Sequence, residues 1–292
     1  MKRVNEPPDL PERPQSSHKG TFGKCLIVAG SRGMSGAAVL AGLGALRAGA
    51  GLVFLAVPDK ILDIVASVEP SYLTVPLPSD SQGRIDLEGD DALFEKASSM
   101  TAVAIGPGLG QSEDLHQLVA RFYENLDRPL VVDADGLNNL AGSPLLQTRT
   151  TKPRILTPHP GEVSGLTGIP IPQIQNKREQ VALEYARLTG AIVVLKGAGT
   201  IVTDGERLYV NDTGNSGMGT GGTGDVLTGI LVSLLAQGMQ PFDAASLAVY
   251  LHGLAGDLAA AELSQPGMIA SDLPDYLAEV LQQLSETPAD EE

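Results

Sequence analysis

The amino-acid sequence predicts an α/β fold, a three-layer sandwich in which helices flank a central, mostly parallel sheet with antiparallel strands at one edge. Three observations predict it. Short β-branched runs bounded by glycine or proline alternate with longer helical patterns. One pair of such runs is joined without a helix, as in a hairpin. The 292 residues, of which 42% are hydrophobic, suffice for a large core.

Six apolar runs are predicted to be buried parallel strands, because each is short, nearly continuous and bounded by turn-forming residues. They are residues 25–29, 52–57, 102–105, 130–132, 154–156 and 192–195. Two further runs, residues 200–203 and 207–210, flank Asp204-Gly205-Glu206 as the arms of a hairpin do. These two runs account for the predicted antiparallel edge.

Five longer segments with helical periodicity connect these strands. They are residues 36–48, 113–123, 174–189, 225–237 and 242–263. Small residues dominate the first of them, which predicts close packing. We expect one domain over residues 21–284, although the length leaves two domains open. Residues 1–20 are polar and proline-rich and residues 285–292 are acidic, so we expect both ends to be flexible.

Composition argues against several classes of function. The net charge of −15 opposes binding to nucleic acid or an anionic membrane surface, and 4% aromatic residues with no tryptophan make a base-stacking platform a poor expectation. No apolar stretch follows the basic start as an export signal requires. The longest nearly apolar segment, residues 226–236, is shorter than the roughly 20 residues that span a bilayer. The single cysteine, Cys25, favours a reducing, cytoplasmic location.

The strongest chemical signal is the glycine-rich segment of residues 215–225, which leads directly into a helical pattern. Glycines let backbone N–H groups converge on an anion, and a helix start adds unpaired N–H groups and the positive end of the helix dipole. The segment therefore predicts a phosphate nest. Its residues are Gly221, Gly222, Thr223 and Gly224.

Asp225 stands where a Walker loop would place a lysine. A carboxylate beside phosphates is repulsive unless it removes a proton, so we interpret Asp225 as a catalytic base. The alternative is that Asp225 only caps the helix and that the glycines form a flexible loop.

Two strand ends carry further candidates. Lys196 and two glycines follow the strand at residues 192–195, where Lys196 could offer a point charge to a nucleotide phosphate. The alternative is a tight turn into the hairpin. After residues 154–156, two prolines hold His159 in an extended loop, aimed at a substrate, and Glu162 could hold a metal-bound water. The alternative is a structural turn with Glu162 in the next helix.

Two more strand–loop junctions suit the rim of a substrate site: residues 105–110, rich in glycine, and residues 131–138. Asp133 and Asp135 are two residues apart, so in an extended segment they share a face and could orient substrate groups or waters on magnesium. The alternative is that both cap helices. The glycines at residues 30–36 do not match a dinucleotide fingerprint, which disfavours a Rossmann dehydrogenase. His252, within a helical pattern, is expected to be a core histidine.

Together, these motifs resemble the ADP-dependent NAD(P)H-hydrate dehydratases, a branch of the ribokinase-like superfamily. The resemblance extends over about residues 18–273 and depends on the order of seven segments. They are residues 18–23, 35–38, 106–110, 133–135, 157–162, 195–200 and 221–225. It implies that Lys196, Gly197, Ala198, Gly199, Thr200 and Gly224 contact the adenine nucleotide. It implies also that Ala37, Gly110, His159 and Asp225 contact the hydrated cofactor.

The resemblance further implies a reaction: dehydration of the S epimer of hydrated NADH or NADPH through a phosphorylated intermediate, with ADP converted to AMP and phosphate and with Mg²⁺ as cofactor. It implies a homotetramer. It implies also that any epimerase is a separate protein, because only about 20 residues precede the first motif. Two alternatives remain. One is a ribokinase-like kinase of a small alcohol, such as a hydroxymethylpyrimidine, pyridoxal or hydroxyethylthiazole kinase. The other is a nucleotide-binding regulator without catalysis.

Overall fold

The computed structural model describes residues 1–286, which contribute ten strands to a single sheet. The strands are β1 (Lys2–Val4), β2 (Lys24–Val28), β3 (Leu52–Pro58), β4 (Leu73–Leu77), β5 (Ala102–Ile105), β6 (Leu130–Val132), β7 (Arg154–Leu156), β8 (Ile192–Leu195), β9 (Ile201–Thr203) and β10 (Arg207–Val210). Their order across the sheet is β1-β10-β9-β8-β7-β6-β5-β2-β3-β4.

The sheet is parallel except around β9, which runs antiparallel to both β8 and β10. This is the predicted hairpin, and the predicted mostly parallel sheet with antiparallel strands near one edge is confirmed. The other neighbouring pairs are parallel. All the connecting loops after β2 and β5 to β8 therefore leave the same edge of the sheet.

Eleven α-helices connect or flank these strands in the described residues. They are α1 (Ser35–Arg47), α2 (Leu62–Ala66), α3 (Asp90–Ser98), α4 (Glu113–Asn125), α5 (Asp135–Leu140), α6 (Pro160–Thr167), α7 (Ile171–Asn176), α8 (Arg178–Thr189), α9 (Thr223–Ala236), α10 (Pro241–Leu263) and α11 (Leu273–Glu286). The pattern predicted as one helix over residues 174–189 is divided at Lys177, whose backbone leaves the helical region. Strands β1 and β4 and helices α2, α3, α5 and α11 were not predicted.

The core lies on both faces of the sheet. Along β2, Cys25 and Ile27 face a cluster built from α1, α9, α10 and α11, whereas Leu26 and Val28 face a second cluster built from α3, α4, α5 and α8. This alternation places a helical layer on each side, because successive side chains of a strand point to opposite faces. The predicted three-layer sandwich is confirmed.

Helices α1 and α9 pack with their backbones almost in contact. A Cβ on Gly44 would lie 2.5 Å from the carbonyl oxygen of Val226, and one on Gly229 would lie 2.0 Å from that of Ala41. Only glycine leaves room for so close an approach. The close packing predicted from the small residues of α1 is therefore present, and α9 is its partner.

The N-terminal segment differs from the expectation of a flexible residue 1–20 stretch. Residues Lys2–Val4 form β1, which pairs with β10 and fills the hydrogen-bonding groups that this edge strand would otherwise expose. The guanidinium of Arg3 pairs with Glu179 at 2.7 Å, and that of Arg13 lies 3.6 Å from the ring centroid of Phe22. At the other end, residues 285–286 belong to α11, and residues 287–292 of the predicted tail lie outside the described residues.

Helix α10 is long and apolar enough to cross a membrane by length and composition alone, with a mean hydropathy of 1.2 in its most apolar window. It is longer than residues 226–236, the segment singled out from the sequence. Of the residues in this most apolar stretch of α10, 61% are buried inside the protein, where α10 packs against α9, α11 and the sheet. Helix α10 is thus built into the core described above.

Candidate active site

Loops from five strands meet at one edge of the sheet. The predicted site residues lie in these loops, in the first turns of the helices that follow them, or at the start of α9 and just before it. The loops follow β2, β5, β6, β7 and β8, which are parallel neighbours. The first turn of α9 completes the site. Ligand sites of open α/β sheets form at this edge, because the loops after parallel strands converge there.

The glycine-rich loop ends at the first turn of α9, as predicted. Gly222 is the residue preceding the helix, with a φ of +100°, and a Cβ there would lie 2.5 Å from the side chain of Leu40. No side chain caps the helix, and Gly221 and Thr220 are exposed. The first N–H groups of α9 are therefore available to an anion. The alternative in which Asp225 caps the helix does not match this geometry.

Asp225 lies in the first turn of α9 and is half-buried. Burial, followed by the negative charge of Asp133, raises the pKa of its carboxyl to about 7, although the ammonium of Lys196 acts in the opposite direction. A carboxylate that titrates near neutral pH is suited to removing a proton and releasing it again.

The ammonium of Lys196 lies at the centre of the site. Its Nζ is 2.6 Å from Oδ1 of Asp133 and 3.9 Å from Oε2 of Glu162. A Cβ on Gly224 would lie 3.4 Å from the same Nζ, so the ammonium lies beside the start of α9. Burial lowers the pKa of Lys196, but the charges of Asp133 and Glu162 outweigh burial and raise it, so the side chain remains an ammonium.

Asp133 is fully enclosed, with its carboxylate accepting hydrogen bonds from three side chains. Besides Lys196, the hydroxyls of Thr157 and Thr228 each donate at 2.7 Å. Burial raises its pKa, but the charge of Lys196 and these hydrogen bonds outweigh it, and the pKa lies below the ordinary value. Asp133 therefore holds Lys196 and is not on the substrate rim.

The prediction that Asp133 and Asp135 share one face is wrong. Ala134 between them has a φ of +47°, so the segment is turned and not extended. Asp135 begins α5, and its Oδ2 accepts the N–H of Gly110 at 2.8 Å. The carboxylate of Asp133 thus pairs with Lys196, and that of Asp135 holds the loop at Gly110.

His159 and Glu162 form a reciprocal cap at the start of α6. Nδ1 of His159 accepts the N–H of Glu162 at 3.1 Å, and Oε2 of Glu162 accepts the N–H of His159 at 2.7 Å. In the neutral ring the proton is therefore on Nε2, and more than half of the side chain, 56%, is exposed. The structural turn with Glu162 in the first turn of the next helix is therefore present, and the exposed His159 ring leaves its contact with a substrate as a prediction.

Glu162 is buried, with 6% of its side chain exposed. Burial raises the pKa of its carboxyl, and the charge of Asp133 adds to this effect, whereas Lys196 opposes it. Together with Asp225, the site therefore contains two carboxylates that resist ionisation beside one paired lysine. Within residues 1–286, no group of three or more His, Cys, Asp or Glu side chains is placed to hold a metal ion on its own.

Ala37 and the loop that ends at Gly110 lie next to each other at this edge of the sheet. A Cβ on Gly108 would lie 2.8 Å from the Cβ of Ala37, so α1 and this loop are in contact. The carbonyl of Gly110 accepts a hydrogen bond from Nδ2 of Asn139 at 2.8 Å. Asn139 was not predicted, although a polar residue among the apolar residues of a short helix was a signal for it.

The loop of residues 196–200 borders a groove of about 550 Å³. Ala198 and Gly199 line one side and residues 176–180 line another. Arg178 fixes the loop, because its Nη2 donates to the carbonyl oxygens of Leu195, Lys196 and Gly199 at 3.0–3.3 Å. The sequence did not single out Arg178, since a basic residue at a helix start carries no specific signal.

His252 lies behind the start of α9, as expected of a core histidine. Its Nε2 lies 2.9 Å from the carbonyl oxygen of Thr223, and burial lowers the pKa of the ring to about 4. The imidazole is therefore neutral and donates to that carbonyl. It holds the first turn of α9 through this hydrogen bond.

Comparison with known proteins points to one family. A family model described as NAD(P)H-hydrate dehydratase matches residues 25–279. A bifunctional NAD(P)H-hydrate repair enzyme of Moorella thermoacetica is 44% identical over 279 residues, which are 95% of this chain and 52% of that protein. The ADP-dependent (S)-NAD(P)H-hydrate dehydratase of Bacillus subtilis is 38% identical over 274 residues, which are 93% of each chain.

A crystal structure is similar as well. The ADP/ATP-dependent NAD(P)H-hydrate dehydratase of Bacillus subtilis, co-crystallized with ATP and Mg²⁺, superposes with a TM-score of 0.81 at 35% identity over 94% of this chain and 95% of that one. This chain thus spans about half the length of the bifunctional relative and nearly all of the Bacillus enzyme. Because the family model matches most of its length, including every loop of the site, the chain belongs to the NAD(P)H-hydrate dehydratase family.

Proposed function

We propose that this protein dehydrates the S epimer of hydrated NADH or NADPH, with ADP as phosphoryl donor and AMP and phosphate as the other products. The relatives named above are called ADP-dependent or ADP/ATP-dependent dehydratases of this substrate. The observation that carries the proposal is the carboxylate of Asp225, with a pKa of about 7, in the first turn of a helix whose N–H groups are uncapped.

The reaction needs a base because hydroxide is a poor leaving group and phosphate is a good one. In our proposal Asp225 takes the proton of the ring hydroxyl while the hydroxyl oxygen attacks the terminal phosphoryl group of ADP, and AMP leaves. The lone pair of the ring nitrogen then expels phosphate, and loss of a ring proton restores the reduced nicotinamide. The positive end of α9 and the ammonium of Lys196 offset the charge of the transferred group.

We propose that the nucleotide binds in the groove beside the loop of residues 196–200. The groove beside Ala198 and Gly199 suits the nucleoside, and the loop of residues 196–200 leads from it to Gly224. The phosphates would then meet the nest of Gly221, Gly222, Thr223 and Gly224. On the other side of Asp225, the hydrated ring would contact Ala37, Gly110 and His159. In this proposal, Asp225 lies between the phosphoryl donor and the hydroxyl that accepts the phosphoryl group.

Magnesium fits the donor set. A buried carboxylate with a raised pKa, Glu162, gains from a nearby cation, and Mg²⁺ is commonly held by one or two carboxylates together with substrate phosphates and water. We propose that Glu162 holds the ion, through a water, and that the nucleotide phosphates complete its ligands. When bound, the ion would neutralise phosphate charge.

The decisive experiment mixes the purified protein with hydrated NADH, MgCl2 and either ADP or ATP. We expect the absorbance of reduced nicotinamide to return with ADP, together with one equivalent of free phosphate. The Asp225→Asn variant is the control for contaminating activity. Accumulation of a stable phosphorylated alcohol without phosphate release would indicate a kinase, and binding of ADP with neither product would indicate a regulator.

Three further expectations from the sequence remain proposals. They are a homotetrameric assembly, cooperation with an epimerase that interconverts the two hydrates, and a cytoplasmic location. The last is favoured by Cys25, which is buried in the core without a disulfide partner. Sedimentation of the purified protein tests the first of them directly.

A further inference from the structure

The rim beside Gly110 is extended by a short loop that the proposed chemistry does not use. The loop follows β4 and folds back on itself through a bridge between Ser79 and Ile85. The carboxylate of Asp80 holds it, accepting the backbone N–H groups of Gln82 and Arg84 and the Nε of Arg84 at 2.8–2.9 Å. We refer to residues 79–85 as the bridge loop.

The bridge loop is attached to the site at two points. Nη1 of Arg84 donates to the carbonyl oxygen of Gln111 at 2.5 Å, and a Cβ on Gly110 would lie 3.2 Å from Cδ of Arg84. The N–H of Arg32 donates to the carbonyl oxygen of Gly83 at 3.0 Å. The side chains of Arg32 and Arg84 therefore both belong to the wall next to the proposed ring site.

The two arginines differ in how their charges are used. Arg84 is paired with Asp80 at 2.8 Å. Arg32 is exposed and lies over Gly83, where a Cβ would come within 2.6 Å of its own Cβ. Its guanidinium has no hydrogen bond or ion pair with any residue in the described range 1–286. A free cation thus stands on the wall of a site whose interior carries the carboxylates of Asp133, Asp135, Glu162 and Asp225.

The substrate in our proposed function is a dinucleotide with an uncharged ring at one end and anionic phosphate groups beyond it. The ring end must approach Asp225, so the phosphates must extend away from the carboxylates. We propose that Arg32 forms a phosphate subsite for the dinucleotide substrate, with the bridge loop and Arg84 holding it in position; this inference rests on the proposed function. A guanidinium suits phosphate because it donates two parallel hydrogen bonds.

The phosphate in question is either the pyrophosphate, common to both substrates, or the 2′-phosphate of NADPH. The test compares Arg32→Ala with wild type in steady-state kinetics on hydrated NADH and hydrated NADPH, and in calorimetric binding of NADPH. The matched control is Arg149→Ala. Arg149 is also exposed, has no described partner and lies over a glycine, Gly190, but it precedes β7 and so belongs to the opposite edge of the sheet.

We expect Arg32→Ala to raise the KM for the hydrated cofactor and the Kd for NADPH at least about tenfold, with kcat and the KM for ADP unchanged. An equal effect on both substrates identifies the pyrophosphate, and an effect on hydrated NADPH alone identifies the 2′-phosphate. Values within twofold of those of Arg149→Ala overturn the subsite while leaving the dehydratase intact. If the wild-type protein lacks turnover, weaker NADPH binding by Arg32→Ala still supports the subsite, and equal binding rejects it.

Discussion

The Nζ atom of Lys196 lies 2.6 Å from Oδ1 of Asp133, and this buried ion pair holds the lysine in the candidate site. The pair keeps an ammonium beside the start of α9 that would otherwise be costly to bury. We expect Asp133→Asn to lower the free energy of unfolding by about 3 kcal/mol, because it leaves Lys196 without its main counter-charge. Urea denaturation measures this, and a loss below about 1 kcal/mol contradicts it.

Lys196 should also tune the base. Its positive charge lowers the pKa of Asp225, so Lys196→Met should move the midpoint of the pH profile of kcat/KM above that of wild type. The same variant should weaken ADP binding. Calorimetry and a pH series separate the two effects, and an unchanged midpoint would show that Lys196 does not act on the base.

Asp225→Asn should reduce kcat by about 10²- to 10⁴-fold, the usual contribution of a general base, while nucleotide binding persists. Phosphate release and reduced-cofactor recovery measure the first effect and ADP calorimetry the second. Near-normal turnover in this variant would contradict the assignment of Asp225 as the catalytic base.

The wild-type kcat/KM should depend on pH in one direction around neutrality. With a pKa of about 7, Asp225 is increasingly protonated as the pH falls, and the protonated form cannot accept the hydroxyl proton. We therefore expect activity to fall about tenfold per pH unit below this value and to level off above it. A kcat/KM that stays constant between about pH 5 and pH 8 contradicts the assignment of Asp225 as the base.

The carboxyl of Asp225 should also lower the free energy of unfolding at alkaline pH. The pKa of Asp225 is raised from an ordinary 3.8 to about 7, so the folded state binds more protons between these values and stability falls as the pH rises through them. Asp225→Asn should then be more stable than wild type at pH 8, on the order of 1 kcal/mol after allowance for solvent screening. The difference should vanish near pH 4, as comparison of the two urea midpoints can show.

Asn139 should position the rim without touching the base. Its Nδ2 donates to the carbonyl oxygens of Gly110 and Asp135, at 2.8 and 2.7 Å. We expect Asn139→Ala to raise the KM for the hydrated cofactor about tenfold and to leave the KM for ADP unchanged. Asn125→Ala, at the exposed end of α4, is the control. Equal changes in both KM values would indicate general loosening of the fold.

Much of the fold could be predicted because buried parallel strands have nearly continuous apolar sequences. All six such runs are strands within one residue at either end. The edge strand β4 escaped prediction because it contains Pro76 and its first residue, Leu73, is 40% exposed, so it lacks that signature. The pairing of β1 with β10 depends on a contact across about 200 residues, which no local pattern reports.

For the site, residue types and strand ends could be predicted, but directions of side chains could not. The turn at Ala134 separates Asp133 from Asp135, and a positive φ at alanine has no sequence signal. Arg154 is another case: it was counted only as part of a strand, yet it is buried and its guanidinium donates to the carbonyl oxygens at the end of α4, such as those of Phe122 and Leu126. Such contacts depend on which elements the fold brings together.

The near-contact of α1 and α9 has a mechanical consequence. Ala37 is in the first turn of one helix and Asp225 in the first turn of the other, so the proposed contact with the hydrated ring and the proposed base belong to one closely packed helix pair. A methyl group at Gly229 would lie 2.0 Å from the carbonyl oxygen of Ala41, so the two helices would have to move apart at this contact. In our proposal, the distance between the substrate hydroxyl and the carboxylate of Asp225 therefore depends on this contact between the two helices.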